Sequence, residues 1–109
     1  MKIAVIGSRG LSIDLRPLIP EGCSELISGG AQGIDQCAAQ YARDNSIPLR
    51  EIKPDYGRYG RGAPLKRNDE IIDAADMVIA IWDGQSRGTG YVIRKCKEKN
   101  KPVRVHTIK

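Results

Sequence analysis

A ten-residue junction, residues 26–35, constrains the fold of this chain more than any other stretch. Its sequence is LISGGAQGID, so strand-forming residues run into a glycine turn and then into the start of an amphipathic helix. Such a junction points backbone N–H groups and the positive end of a helix dipole at one place. Its glycines allow positive φ and let a ligand approach the main chain closely. The junction therefore predicts an anion-binding turn inside an α/β fold.

The rest of the chain repeats the alternation of strand and helix. Short apolar runs predict strands at residues 3–6, 25–28, 47–52, 77–82 and 102–105. Apolar residues at helical spacing predict helices at residues 34–42, from Pro64 to about 75, and from Thr89 to about 99. The third strand carries a proline and charges, which are typical of a sheet edge.

Two segments lack such periodicity. Residues 11–22 contain two prolines, so we expect at most a brief, irregular helix there. Residues 54–63 are rich in Gly, Tyr and Arg and predict an irregular loop.

Five strands that alternate with helices predict a single Rossmann-like domain over residues 1–109. We expect a three-layer α/β sandwich with a mostly parallel sheet in the order 3-2-1-4-5. The loops after strands 1, 2 and 4 then meet at one end of the sheet. Residues 7–9, 29–33 and 83–89 are therefore expected to form one pocket. Neither glycine loop has the Walker A or GxGxxG pattern of the common nucleotide folds.

Charge is unevenly distributed along the chain, whose formal net charge is +5. Residues 50–67 and 87–109 are strongly basic, whereas residues 68–86 contain no basic side chain. This balance favours an anionic ligand, either a nucleotide or a nucleic-acid backbone, although the basic cluster near the end of the last helix also fits a solvated face.

Composition narrows the class of protein further. No apolar run is long enough to span a bilayer, and the start of the chain does not resemble a signal peptide. Three distant cysteines without a CxxC pair favour reduced thiols, mostly in core packing, over a disulfide framework or a metal site. We expect a cytoplasmic protein without a membrane partner.

Several polar residues follow the predicted strands or begin the predicted helices, and each has two interpretations. Asp35 lies in the first turn of a predicted helix. Its carboxylate either interacts favourably with the positive end of the helix dipole or binds ribose hydroxyls. Arg9 is a candidate phosphate clamp, and Arg67 with Asn68 either helps it or lies on a solvated helix surface. Trp82 fits a core side chain or a stacking platform.

Taken together, residues 7–9, 28–35, 67–68 and 82–89 resemble the SLOG superfamily, and more narrowly its small single-domain, cpYpsA-related members. The resemblance covers nearly the whole chain and implies a Rossmann-like domain that binds nucleotides or nucleotide-derived ligands. The expected ligand-binding residues are Gly7, Ser8, Arg9, Gly29, Gly30, Gly33, Asp35, Arg67, Asn68, Asp83, Ser86, Gly88 and Thr89.

One departure from the resemblance concerns catalysis. The similar LOG phosphoribohydrolases carry a PGGxGTxxE motif whose Glu takes part in cleaving the N-glycosidic bond, and Val92 stands at that position here. A hydrolase of this kind would need another carboxylate, and Asp35 and Asp83 are the candidates.

The leading hypothesis is a binding domain for a nucleotide-like ligand, a sensor or carrier that requires no further cofactor and no metal. The first alternative is a single-stranded DNA-binding module similar to the core of DprA, using the basic stretch 50–67 with Tyr56 and Tyr59 as stacking groups. The second alternative is a phosphoribohydrolase-like enzyme with a non-standard acid. A homodimer or higher homo-oligomer fits a chain of this size with an exposed sheet edge.

Overall fold

The computed structural model describes residues 1–30 and 33–108, which form five strands, and helices connect all of them except the first two. The strands are β1 (Lys2–Gly7), β2 (Glu25–Ser28), β3 (Leu49–Glu51), β4 (Met77–Trp82) and β5 (Val103–Thr107). The helices are α1 (Ile34–Asp44), the short α2 (Tyr56–Tyr59), α3 (Ala63–Ala74) and α4 (Arg87–Glu98), with a 3-10 turn at Gly60–Gly62.

The sheet has the order β3-β2-β1-β4-β5, and all four neighbouring pairs are parallel. Ile3 in the central strand β1 lies beside Leu26 of β2 on one side and Met77 of β4 on the other. The predicted strand order is confirmed, and the fold is Rossmann-like. Because the chain moves outward from β1 in both directions, the boundary between β1 and β4 is the switch point of the sheet.

Alternating residues of the central strands feed two separate layers of core. Ile3 and Val5 of β1 pack with α1 on one face, and Ala4 and Ile6 pack with α3 and α4 on the other. These four side chains are all buried, as the continuous apolar run predicted. Helices therefore cover both faces of the sheet.

The end of β1 lies unusually close to the start of α1. A Cβ atom on Gly7 would overlap the side chain of Ile34, which is fully buried in the first turn of α1. Glycine at this position lets the helix begin directly against the carboxyl end of the central strand. This contact fixes where α1 starts relative to the loop after β1.

The segment between β1 and β2 contains no regular helix, as its prolines predicted. Leu15 and Ile19 are nevertheless buried on the α1 face of the sheet, and the amides of Leu18 and Ile19 donate to the carbonyl of Leu15. A single turn thus supplies the apolar cover that a helix provides elsewhere.

Several boundaries differ from the sequence expectation by one or two residues, β5 ending at Thr107, and three differences have a visible cause or consequence. Residues 54–63 are not wholly irregular, because the Asp55 carboxylate accepts the Arg58 amide at 3.1 Å and caps α2. Strand β3 is shorter than predicted, since Ile47 donates its amide to Ala42 at the end of α1. Helix α4 begins at Arg87, two residues earlier than expected. Within residues 1–30 and 33–108, no helix has the length and apolar character needed to cross a membrane.

Candidate ligand-binding cleft

A cleft of about 440 Å³ opens at the switch point, beyond the carboxyl ends of β1 and β4. Loops after β1, β2 and β4 contribute to its walls, together with the first turns of α3 and α4. Eleven of the thirteen expected ligand-binding residues line it: Gly7, Ser8, Arg9, Gly29, Asp35, Arg67, Asn68, Asp83, Ser86, Gly88 and Thr89. Ligands of open α/β sheets characteristically bind at this position.

Arg67, from α3, contacts the loop after β2. Its Nη1 donates to the carbonyl oxygen of Gly29 at 3.0 Å, and its Nε donates to Oδ1 of Asn68 at 2.8 Å. Asn68 is 7% exposed, so the second bond ties the guanidinium to a buried amide. These two bonds hold a cation at a defined place in the cleft.

Asp35, in the first turn of α1, also lies beside Gly29. Its side chain is buried, and its Oδ2 lies 3.1 Å from the position that a Cβ on Gly29 would occupy. Burial lowers the pKa of Arg67, and the opposing negative charge of Asp35 partly offsets that effect. An arginine remains protonated at neutral pH in such surroundings, so the cleft holds a cation and a carboxylate close together.

Asp83 binds its own loop. Its Oδ1 accepts the amides of Gln85 at 2.8 Å and Ser86 at 2.7 Å, which lowers the pKa of this exposed carboxyl. Its amide donates to Oγ of Ser8 at 3.2 Å, and the amide of Ser8 donates to Ile81 at 3.1 Å. The Asp83 side chain therefore shapes the loop before α4, and Ser8 joins that loop to the end of β1.

The first turn of α4 forms another wall. The amide of Gly90 donates to the carbonyl of Ser86, so the amides of Arg87, Gly88 and Thr89 precede the first intrahelical bond. Thr89 is buried, and no heavy atom outside the helix lies within 4 Å of a Cβ built on Gly88. Amides without an intrahelical acceptor and the positive end of a 12-residue helix dipole therefore belong to the wall of the cleft.

Trp82, for which the sequence left two roles open, packs against α4. Its Nε1 donates to the carbonyl of Ser86 at 3.0 Å, and its ring lies 3.4 Å from the Cβ position of Gly90. The side chain thus supports the N-terminus of α4 from behind the cleft.

Two of the expected residues lie away from the cleft. Gly30 has a φ of 70° and is exposed beside Glu51 and Lys53. Gly33 has a φ of 74° and lies against the carbonyl of Arg9, where a Cβ would overlap the backbone. Ala31 and Gln32, which the expected pocket range 29–33 includes, lie outside the described residues.

Gly33 contributes instead to a neighbouring cavity of about 500 Å³ between α1 and residues 12–16. Two of its charged groups already form a pair, since Nη2 of Arg16 donates to Oδ2 of Asp14 at 2.7 Å, and both side chains are exposed. The cleft at the switch point is the better ligand site, because a half-buried cation, a buried carboxylate and a helix N-terminus converge there.

The sequence did not identify five residues that line the cleft. Ile6 and Ile71 are buried beneath it, and Gly10, Pro64 and Leu65 stand at its edge. Pro64 and Leu65 occupy the first turn of α3, one turn before Arg67 and Asn68. Since residues three or four apart share a helix face, the predicted site residues Arg67 and Asn68 could have indicated that Pro64 and Leu65 line the cleft too. Val92 is fully buried with Ile6 and Ile71, so it brings an apolar side chain below the cleft.

Comparison of the chain with protein-family models, with curated proteins and with solved structures found no match.

Proposed function

We propose that the protein binds a nucleotide or a nucleotide-derived ligand in this cleft, as a sensor or carrier. The observation that carries the proposal is that Arg67 and Asp35 come together beside Gly29, in a cleft that the N-terminus of α4 also lines. A cation and free amides suit a phosphate, and a carboxylate suits the hydroxyls of a ribose. The cleft volume of about 440 Å³ lies within the range of small-molecule sites.

Each part of the ligand has a proposed partner. The amides of Gly88 and Thr89 receive the phosphate, because the first turn of a helix leaves such donors without intrahelical acceptors. The guanidinium of Arg67 provides a planar set of donors for the same group, and the exposed Arg9 adds charge at the rim. Asp35 accepts the ribose hydroxyls. Because Gly29 has no side chain, the guanidinium of Arg67 can pack directly against its backbone.

A thermal-shift screen of mononucleotides, NAD and ADP-ribose beside short oligonucleotides tests the proposal. A ligand that binds only the folded state raises the melting temperature, and above its Kd the stabilisation grows with the logarithm of the ligand concentration. We expect stabilisation of the native protein by a mononucleotide-sized ligand and its loss in Arg67→Met. Arg104→Met, which removes an exposed arginine from β5, is the matched control and is expected to behave like the native protein. Stabilisation by oligonucleotides alone would overturn the proposal.

Single-stranded DNA binding is the second candidate, and one feature of the α2–α3 region favours it. Tyr56 is 59% exposed. Nearby, the guanidinium of Arg58 lies 5.2 Å and the ammonium of Lys66 lies 5.9 Å from the ring centroid of Tyr59. Exposed aromatic and basic side chains together are what a single strand requires. This candidate predicts a steep decrease of affinity with salt and a need for several nucleotides, whereas the cleft proposal predicts neither.

We propose binding rather than phosphoribohydrolysis because the two candidate carboxylates differ. Asp83 accepts two amides and is held ionised, so it is unsuited to donate a proton. Val92 cannot transfer a proton at all. Asp35 is the remaining candidate acid, and release of adenine from AMP by the native protein but not by Asp35→Asn would make the protein an enzyme.

A reducing compartment such as the cytoplasm is the proposed location. Cys23, Cys37 and Cys96 are all free thiols, and unpaired cysteines are typical of such compartments. Fractionation of cells that express the tagged chain tests this assignment.

A further inference from the structure

Leu65 is an apolar side chain in an unexpected place. It is 45% exposed although it lies on α3, whose other large apolar residues, Ile71 and Ile72, are buried. It lines the cleft beside Pro64, and Tyr56 on the preceding α2 is also exposed. Of the exposed large apolar residues in the described part of the chain, Leu65 lines the cleft, whereas Met1, Tyr56 and Val105 do not.

The position of Leu65 on its helix explains this exposure. Residues 65, 68 and 72 follow helical spacing and share one face of α3. Ile72 is fully buried, Asn68 is 7% exposed, and Leu65 is the most exposed of the three. The face therefore runs from the core into the cleft and ends at the exposed Leu65.

The cleft consequently has two chemically different regions. Arg67, Asp35 and the first turn of α4 supply charge and hydrogen-bond donors. Pro64 and Leu65 supply a ring and methyl groups, with no side-chain hydrogen-bonding group. A nucleotide has the same division, because a charged phosphate and a polar ribose are joined to a flat base with an apolar face.

We propose that Pro64 and Leu65 seat the base of the ligand, and that this seat favours purines over pyrimidines with little discrimination between adenine and guanine. The inference rests on the proposed function and names the part of the ligand that these two residues recognise. A purine covers more apolar surface than a pyrimidine does, so it gains more from an aliphatic seat. Discrimination between adenine and guanine requires hydrogen bonds to the base edge, and the side chains of Pro64 and Leu65 offer none.

Isothermal titration of AMP, GMP, CMP and ribose 5-phosphate tests this proposal on four proteins. These are the native chain, Leu65→Ala, Leu65→Phe, and Val105→Ala, which trims an exposed apolar residue on β5. For the native chain we expect AMP and GMP to bind about ten-fold more tightly than ribose 5-phosphate, with CMP between them. In Leu65→Ala the affinity for AMP falls about five-fold while that for ribose 5-phosphate is unchanged. Leu65→Phe retains or improves AMP binding, and Val105→Ala matches the native chain.

The outcomes separate this inference from the function on which it rests. If the native chain binds none of the four compounds and no compound of the thermal-shift screen, the proposed function itself fails; if only compounds of that screen bind, the base seat as proposed is overturned. If ribose 5-phosphate binds as tightly as AMP, or Leu65→Ala weakens both equally, the base seat is overturned and the nucleotide site stands. A misfolded variant would produce that equal loss artificially, so the melting temperature of each unliganded variant is measured first. Alanine is favourable in an exposed helix position, so Leu65→Ala is expected to fold.

Discussion

The guanidinium of Arg67 lies directly over Gly29, to whose carbonyl it donates at 3.0 Å. A Cβ on residue 29 would lie 2.5 Å from Nη1 of Arg67. The absence of a side chain at Gly29 thus makes room for the guanidinium of a residue 38 positions further along the chain. Together they bring the loop after β2 and the helix α3 to the same side of the cleft.

Gly29→Ala is expected to displace the Arg67 guanidinium, because the obstructed atom is the far end of a flexible side chain. Loss of one charge-assisted hydrogen bond should lower the free energy of unfolding by about 1–2 kcal/mol. Nucleotide affinity should fall about ten-fold, since the cation leaves its place in the cleft. Urea denaturation and calorimetric titration measure the two effects.

Gly57→Ala is the matched control for Gly29→Ala. A Cβ there would make only an ordinary 3.6 Å contact with Asp55, and we expect native stability and affinity. Native affinity in Gly29→Ala itself would contradict the assigned role of Arg67.

Gly7→Ala is expected to destabilise the fold, because the added methyl group would occupy the same space as Ile34. Overpacking of this kind costs about 1–3 kcal/mol. Ile34→Ala leaves a cavity and costs about 2–5 kcal/mol by itself. If the two side chains compete for one space, the double variant is less destabilised than the sum of the single variants. Additive losses in thermal or urea unfolding would show that the two sites are independent.

Asp83→Asn is expected to remove a pH-dependent part of the stability. Backbone amides lower the pKa of the folded Asp83 carboxyl below its usual value, so the carboxylate stabilises the native state. That contribution is present above the unfolded pKa of about 3.9 and disappears as the pH falls through the lower folded pKa. The stability difference between the native chain and the variant should therefore shrink on acidification below pH 4 and stay constant above pH 5. Urea titrations from pH 2.5 to 7 check this, and a difference that is constant throughout the range would refute it.

Cys96 is expected to resist alkylation in the native protein. It is fully buried, and burial raises the pKa of its thiol, so little reactive thiolate forms. Cys37 is only partly buried and serves as the internal comparison. With iodoacetamide at pH 8, mass spectrometry should find Cys37 modified first and Cys96 modified only under unfolding conditions. Equal rates for the two cysteines in the native protein would falsify the described packing of α4.

The fold could be predicted because its main signals are local. Continuous apolar runs such as 77–82 indicate strands that are covered on both faces, and alternation with helices then restricts the connections to right-handed crossovers. Short elements were harder to predict. The helix α2 depends on one capping bond from Asp55, and its glycine-rich sequence gives no periodic signal.

The cleft could be predicted only where its residues follow strands directly. Ser8 and Asp83 come immediately after β1 and β4, so topology alone brings them together. Leu65 could not be found in this way, because it lies in the first turn of α3 and does not directly follow a strand. The detailed role of Asp83 was also hidden, since the two amides that it accepts depend on the exact path of its loop.

The parallel pairing of β1 with β4 has a consequence for the way the chain folds. Ile3 and Met77 are neighbours in the sheet, although 74 positions separate them in the sequence. The central strand therefore cannot acquire both of its partners until most of the chain is available, and a large loop must close first. Because such non-local pairing slows folding, we expect a slow, late step in which β1 is enclosed. Until then its apolar residues lack their β4 partner, and this is the stage at which the nascent chain is most prone to aggregate.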